Sequence, residues 1–473
     1  MTLFLCLVVF LVFARLKATK PENIESKESK IILGNQIFRD NNYYLLDPKD
    51  RIAILTNPTG IFNDNLQHIV DTMHQESRTK YDWEVVAILS PEHGFRGSSQ
   101  AETGDTFYID EYTHLPVFSA YEMSDSEINQ LMTHLDVNKI IIDMADVGVR
   151  LYTFIWTMYK TMESTLEQPI QYIILDRPNP LGGNLIDGPM LNATCCESGY
   201  GRVPMPYIHG MTIGEIGNYF HSIFLNDGGI NKNILIQVEV IKMKGWQRSM
   251  TLTDWSSHNL LFVPPSPNLP TIESVFAYPV TVFTEATTVS EGRGTTLPFT
   301  LIGAPFYEHA YRKLAHTLQQ CDSSSGSNSN DESFASIRPT IFQPTYQKYN
   351  FTSCYGIQWM VNSRSPLMIN AYSSSSSTSS SSSLSSSKTM SSPFEVGICY
   401  IIALRDLATP FSSFQFDGSW FGHPGTELFD DYTGDNQVRL DIEAGLKAEQ
   451  ISAKYRYDKK EWERIRKPYL LYH

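Results

Sequence analysis

The chain has 473 residues, 42% hydrophobic and 19% charged, a globular composition with enough length for two or three domains and full cores. Its 37 basic and 51 acidic residues give a formal charge of −14, which argues against non-specific nucleic-acid binding, since that leans on Lys and Arg. An acidic total still leaves room for a local basic pocket that reads one small anion.

The N-terminus carries an unbroken apolar run of 12 residues, 3–14 (LFLCLVVFLVFA). A spanning helix takes about 20 residues, so this run has the length of a signal-peptide core instead. Leu16-Lys17-Ala18 places cleavage after residue 18. Residues 1–18 therefore read as a signal peptide, with a signal anchor as the alternative because Arg15 and Lys17 follow the run. The mature protein is expected to be secreted or lumenal, of lysosome or phagosome type, with no stable membrane span. Sequons at Asn192 and Asn350 mark glycosylation sites on the same route. Beyond Cys6, the cysteines at 195, 196, 321, 354 and 399 are too scattered for a disulfide scaffold and allow one or two bridges with a thiol left over.

Strand and helix signals then alternate. Strands are predicted over 51–56, 83–90, 139–144, 171–176 and 236–243, and helices over 66–74, 127–135, 154–166 and 212–224. Short continuous apolar strands between helices suggest parallel β covered on both faces. Too few βα units are visible for a TIM barrel, so the expected fold is an α/β, Rossmann-like open sheet over 32–256. The prolines of 262–270 exclude a helix interior or central strand and place a boundary nearby. Residues 257–473 are expected to form a smaller α+β domain. It is interrupted by a serine-rich insertion over 373–392, with a shorter polar stretch over 321–332, both expected to be disordered. An apolar segment follows over 394–407, and a helix is predicted over 447–455.

In open α/β sheets, ligands bind beyond the carboxyl ends of the strands. Three strand ends here run into unusual polar loops: Pro91-Glu92-His93-Gly94-Phe95-Arg96, Asp146-Val147-Gly148-Val149-Arg150-Leu151-Tyr152, and Asp176-Arg177-Pro178-Asn179. If the strands are parallel, one edge gathers Glu92, Asp143, Asp146 and Asp176 with Arg96, Arg150 and Arg177. Such a set suits proton transfer and anion recognition. Asp146 and Asp176 could equally cap the next helix, Asp143 could be paired internally, and His93 could be an ordinary loop histidine. Glu92 has no propensity reason to sit in its loop, which makes it the leading functional candidate.

The second half adds Glu285, Glu291 and Arg293 among the glycines and hydroxyls of residues 285–296, with Gly292 and Gly294 permitting tight backbone approach to a ligand. No Walker A, G-x-S-x-G or H-E-x-x-H motif occurs, and the 12 histidines include no i, i+4 pair, so neither a metal nor any other cofactor is expected.

Taken in order, these loops resemble the exo-β-N-acetylmuramidase (NamZ) family, long catalogued as a domain of unknown function. The resemblance runs from RIAILTNPTG at residue 51 to YLLY at the end. It includes PEHGFRG, Ala101-Glu102-Thr103-Gly104, DVGVRLYTF, DRPNPLGG, the His209 to Glu215 stretch, PSPNLP and SEGRGTTLPF. Leu269 stands where members commonly have Met. The resemblance implies a Rossmann-like domain and a smaller C-terminal domain with the active site in the cleft between them, and release of N-acetylmuramic acid from non-reducing ends of peptidoglycan fragments.

Glycoside hydrolysis usually needs two carboxylates. The expectation is Glu92 as the principal catalytic carboxylate, His93 tuning it or binding sugar hydroxyls, and Glu291 as partner, with Glu285 and Asp143 in reserve. Muramic acid carries a lactyl carboxylate that suits an arginine fork, from Arg96, Arg150, Arg177 or Arg293. Tyr152, His209 and Asn268 would supply sugar contacts, with a turn residue as the alternative for Asn268. The competing readings are a non-catalytic binder of muramyl ligands and a glycosidase for another amino sugar.

Overall fold

The structure, a computed structural model, describes residues 30–97, 106–226, 233–322, 335–361 and 392–473. The leader, the Ala101-Glu102-Thr103-Gly104 segment, residues 323–332 and all but the last residue of the 373–392 insertion lie outside the described residues.

The first half contributes β1 (Arg51–Thr56), β2 (Glu84–Ser90), β3 (Phe107–Ile109), β4 (Pro116–Ser119), β5 (Lys139–Asp143), β6 (Gln171–Leu175), β7 (Asp187–Met190), β8 (Pro206–Ile208) and β9 (Gln237–Ile241). A seven-stranded sheet has the order β3-β4-β2-β1-β5-β6-β9. Every pairing in it is parallel except β3 with β4 at the edge. This is the expected Rossmann-like sheet, extended by β3 and β4, whose short polar-flanked runs give little signal in the sequence.

The apolar strand runs follow from burial on both faces. Ile52, Ile54, Ile141 and Ile173 face one apolar layer, closed by Ile69, Val70 and Met73 of the helix Ile69–Ser77. Ala53, Leu55, Ile140, Ile142 and Ile174 face the other, closed by the helices Phe154–Ser164 and Ile213–Asn226. Alternation with period two sends neighbouring residues to opposite sides. The chain builds β2 and β4 to one side of β1, then β5, β6 and β9 to the other, so the strand order reverses at β1.

The second half builds an antiparallel sheet, β10 (Leu301–Ala304), β12 (Cys354–Val361) and β11 (Ala335–Phe342), in that spatial order. The helices Ile272–Thr281 and Tyr311–Asp322 pack on it, and Pro393–Leu407 packs on those two helices. A disulfide joins Cys321 to Cys399, a second joins the adjacent Cys195 and Cys196, and Cys354 is a buried free thiol. The C-terminal segment returns to the first half. Trp462 Nε1 donates to the His209 carbonyl at 2.8 Å, and Tyr472 Oη donates to Asp176 at 2.5 Å. Among the described residues no helix is long and apolar enough to cross a membrane.

Candidate active site

A cavity of about 490 Å³ opens where the two halves meet. From the first half, the loop after β2 brings Glu92 and His93, and the loop after β5 brings Leu151, Tyr152 and Thr153. The second half brings Ser266, Leu269, Glu285 and Arg293. Tyr200, Tyr278, Phe299, Phe421 and Tyr432 make the remaining wall largely aromatic.

The β2 loop is bent by two successive residues in the left-handed region, His93 at φ 72° and Gly94 at φ 74°. That conformation is uncommon for a histidine. His93 is held there by a 3.0 Å hydrogen bond between Nε2 and Ser266 Oγ, which also ties the first half to the proline-rich segment. The turn leaves Glu92 half-buried at the cavity, its Oε2 accepting from Thr153 Oγ1 at 2.7 Å. The hydroxyl of Tyr152 is buried without a hydrogen-bond partner. Burial, and then the nearby Glu92 carboxylate, hold its pKa well above the ordinary phenol value, so it remains a donor.

On the facing side, Arg293 binds Glu285 Oε1 through Nε at 2.8 Å and Nη2 at 2.6 Å. Tyr432 Oη donates to Glu285 Oε2 at 3.1 Å. The Arg293 Nη1 group is buried with no acceptor. Its guanidinium carbon lies 5.4 Å from the Phe299 ring centre and 5.5 Å from that of Phe421, within cation–π range. Glu285 is pushed up by burial, offset in part by Arg293. The cavity thus combines a half-buried carboxylate, an unpaired phenol and a guanidinium with donors to spare.

Several expected residues lie elsewhere. Glu291, expected as the catalytic partner, is buried behind Arg293 and does not line the cavity. Its Oε2 accepts from Lys348 Nζ at 3.1 Å, and its Oε1 is 3.6 Å from Arg293 Nε. Glu285, held in reserve, is the carboxylate that reaches the cavity. Gly292 and Gly294 have positive φ, but the backbone pressed against them is that of Leu301 and Tyr346, so they serve chain packing rather than ligand approach.

The expected anion-reading arginines also separate. Arg96 is exposed and bound by Asp71 at 2.8 Å and Asp110 at 2.9 Å. Arg177 is paired with Asp143 at 2.5 Å, and Asp143 also accepts from Asn35 Nδ2, so neither joins the cavity. Arg150 is fully buried and donates to the carbonyls of Tyr200, Asp431 and Tyr432, and burial pushes it down to about 10. It braces two cavity tyrosines from behind. Asp146 accepts from Gly148 N and from His209 Nε2 at 3.1 Å, while His209 Nδ1 accepts from Met211 N. Asp176 receives bonds from Arg177 N, Thr212 Oγ1, Gly214 N and Tyr472 Oη, and so fixes the start of the helix Ile213–Asn226. Asn268 donates its backbone N–H to Ser266 Oγ and shapes the turn that presents Ser266. Among the described residues no group of three or more His, Cys, Asp or Glu could hold a metal.

The sequence reading did not single out Lys348, whose ammonium donates to the carbonyls of Thr284, Glu285 and Val289 and to Glu291. No motif surrounds it. Nor did it find Tyr278, Phe299, Phe421 or Tyr432, which look like ordinary core aromatics in sequence. Thr153 and Ser266 did sit inside recognisable motifs, beside the residues singled out.

The family model described as exo-beta-N-acetylmuramidase NamZ, N-terminal, matches residues 52–273, and its C-terminal counterpart matches residues 276–472. The chain belongs to the NamZ family. It is 34% identical over 475 residues to the peptidoglycan beta-N-acetylmuramidase NamZ of Bacillus subtilis (strain 168), an alignment that covers all of this chain and 99% of that one. Two crystal structures of DUF1343 family proteins from Bacteroides fragilis NCTC 9343 share the fold. One has a TM-score of 0.71 at 24% identity and the other 0.62 at 27%, each covering 94% of this chain and 99% of its own. Both NamZ halves contribute to the cavity, Glu92 from the first and Glu285 and Arg293 from the second.

Proposed function

We propose that this chain is an exo-acting β-N-acetylmuramidase, a glycoside hydrolase that releases N-acetylmuramic acid from non-reducing ends of peptidoglycan fragments. The observation that carries the reading is one cavity holding both Glu92 and the unpaired Nη1 of Arg293. Glu92, held by Thr153, gives its proton to the glycosidic oxygen as the bond to the anomeric carbon breaks and the substrate's own acetamido oxygen closes on that carbon; a water then opens this ring at the same carbon and returns a proton to the Glu92 carboxylate. Arg293 Nη1 takes the lactyl carboxylate, the group that distinguishes muramic acid from glucosamine. Glu285 fixes the rest of the guanidinium, and Glu291 with Lys348 supports it from below. Tyr152 and the aromatic wall take the sugar's hydroxyls and ring face.

A glucosaminide brings no carboxylate and leaves a buried donor unmet, which is how a polar site rejects an analogue. The test is incubation of the pure protein with a chromogenic N-acetylmuraminide and the matching N-acetylglucosaminide. Release from the muraminide alone is the expected result. Equal release from both would make it a glycosidase of broader amino-sugar range, and calorimetric binding without turnover would make it a muramyl-binding protein.

The apolar leader supports secretion or delivery to a lumen, and the exposure of both sequon asparagines, Asn192 and Asn350, is compatible with glycosylation there. N-terminal sequencing of the mature protein should then begin after residue 18, and glycan removal should lower its apparent mass.

A further inference from the structure

A second cavity, of about 380 Å³, lies at the carboxyl edge of the sheet where the strand order reverses. It shares no lining residue with the Glu92 cavity. Thr59 and Ile61 reach it from the loop after β1, Ala145 from the loop after β5, and Arg177 from the loop after β6. In open α/β sheets the reversal point is the crevice where ligands settle. The Glu92 cavity takes the far end of the loop after β5, residues 151–153, and leaves the part of the crevice beside Ala145 unused.

Two polar side chains of the cavity keep a donor to spare, while the side chains of Thr59 and Asn63 are engaged within the protein. Trp255 lines it, and the Trp255 indole N–H is buried with no acceptor. Arg177, also buried, uses Nε on Asp143 and Nη2 on the Ile61 carbonyl, and no partner holds its Nη1 among the described residues. Thr59 Oγ1 is already engaged, donating to Asn57 and accepting from Ala145 N. Leu33, Ile61 and Leu260 supply apolar wall. The segment closing the cavity is pinned by Asn63, whose side chain donates to the Asn259 carbonyl and accepts from Leu261 N, so the site is formed without a ligand.

Charge decides the ligand class. The single positive charge of Arg177 is already matched by Asp143 at 2.5 Å, and the buried Asp176 adjoins it. An anion here would be surplus buried charge, which is costly. A neutral acceptor on a partly apolar body avoids that cost, and an indole beside an apolar wall is suited to a sugar face. The geometry points to this cavity as a second carbohydrate site that takes one uncharged N-acetylamino sugar, its amide carbonyl facing the donors of Trp255 and Arg177. Its test reads binding and not turnover; the saturation arm rests on the proposed function, and the Leu261→Trp arm does not.

The test is a ligand-observed NMR titration of the full chain with N-acetylglucosamine, while free N-acetylmuramic acid saturates the Glu92 cavity. Binding with a Kd of about 1 mM, retained under that saturation, is the expected result. Leu261→Trp, which fills the mouth, should abolish it. Trp255→Phe should weaken it about fivefold, the effect of one hydrogen bond. Trp255→Phe also trims a buried ring, so it should lower the melting temperature by a few degrees while the fold, read by circular dichroism, is kept. Complete displacement by N-acetylmuramic acid, indifference to Leu261→Trp, tighter binding of benzoate than of the sugar, or no saturation by about 20 mM would each overturn the proposal.

Discussion

Two of the buried arginine–carboxylate pairs border a cavity, Arg293 with Glu285 and Arg177 with Asp143. The residue types match and the surroundings differ. Arg293 stands in the wall of a cavity with a half-buried carboxylate, Glu92, and an unpaired phenol, Tyr152. Asp143 is wholly enclosed, with Arg177 and Asn35 on its two oxygens. A charged pair is marked for chemistry not by being buried but by what it leaves unsatisfied next to open volume. The charge balance separates the ligands: the Arg293 site sets two cations, Arg293 and Lys348, against Glu291 and a Glu285 whose pKa burial pushes up, which leaves room for an anion, whereas the Arg177 site offers a charge already matched by Asp143.

Substitutions can break this contrast. The largest effect is expected from Glu92→Gln, which should lower kcat on a muraminide by about 10³-fold with no loss of melting temperature, since Gln can keep the Thr153 contact. Arg177→Met leaves Asp143 buried and uncompensated. It should cost about 3 kcal/mol in urea unfolding while sparing the preference for muraminide over glucosaminide. Arg293→Lys exchanges a fork for a point charge and should shrink that preference by about 10²-fold, read as a ratio of kcat/KM values.

A pH dependence follows from Asp176, which burial pushes up to about 7 although four donors surround it. Its folded pKa lies above the unfolded value near 4, so between those values the folded state holds the extra proton. Stability from this group is therefore present at low pH and lost as pH rises toward 7. The urea midpoint should fall across that window, and the slope should flatten in Asp176→Asn.

Much of the fold was legible in the sequence because parallel strands buried on both faces must be continuous apolar runs. The runs at 51–56, 84–90, 139–143 and 171–175 fall where the sequence pattern puts them. The edge strands β3 and β4 lack such runs and were not legible. In the site, Glu92 stood out because nothing in its loop's propensities explains it. Glu291 stood out for the same kind of reason, yet it faces inward, because Lys348 and Arg293, one of them 57 positions away, hold its carboxylate in the core. Lys348 and the aromatic wall gave no local signal, because their role lies in contacts with residues about 60 or more positions away.

By itself the sequence determined the parallel sheet, the polar loops at its carboxyl edge and the order of motifs that places the chain in its family. Those follow from local rules of burial, turn chemistry and residue spacing. Only the tertiary structure decided which carboxylate meets the cavity, which arginine keeps a free donor and which pairs are closed. Hydrogen-bond satisfaction is a property of neighbours in space, and residues far apart in the chain supply them.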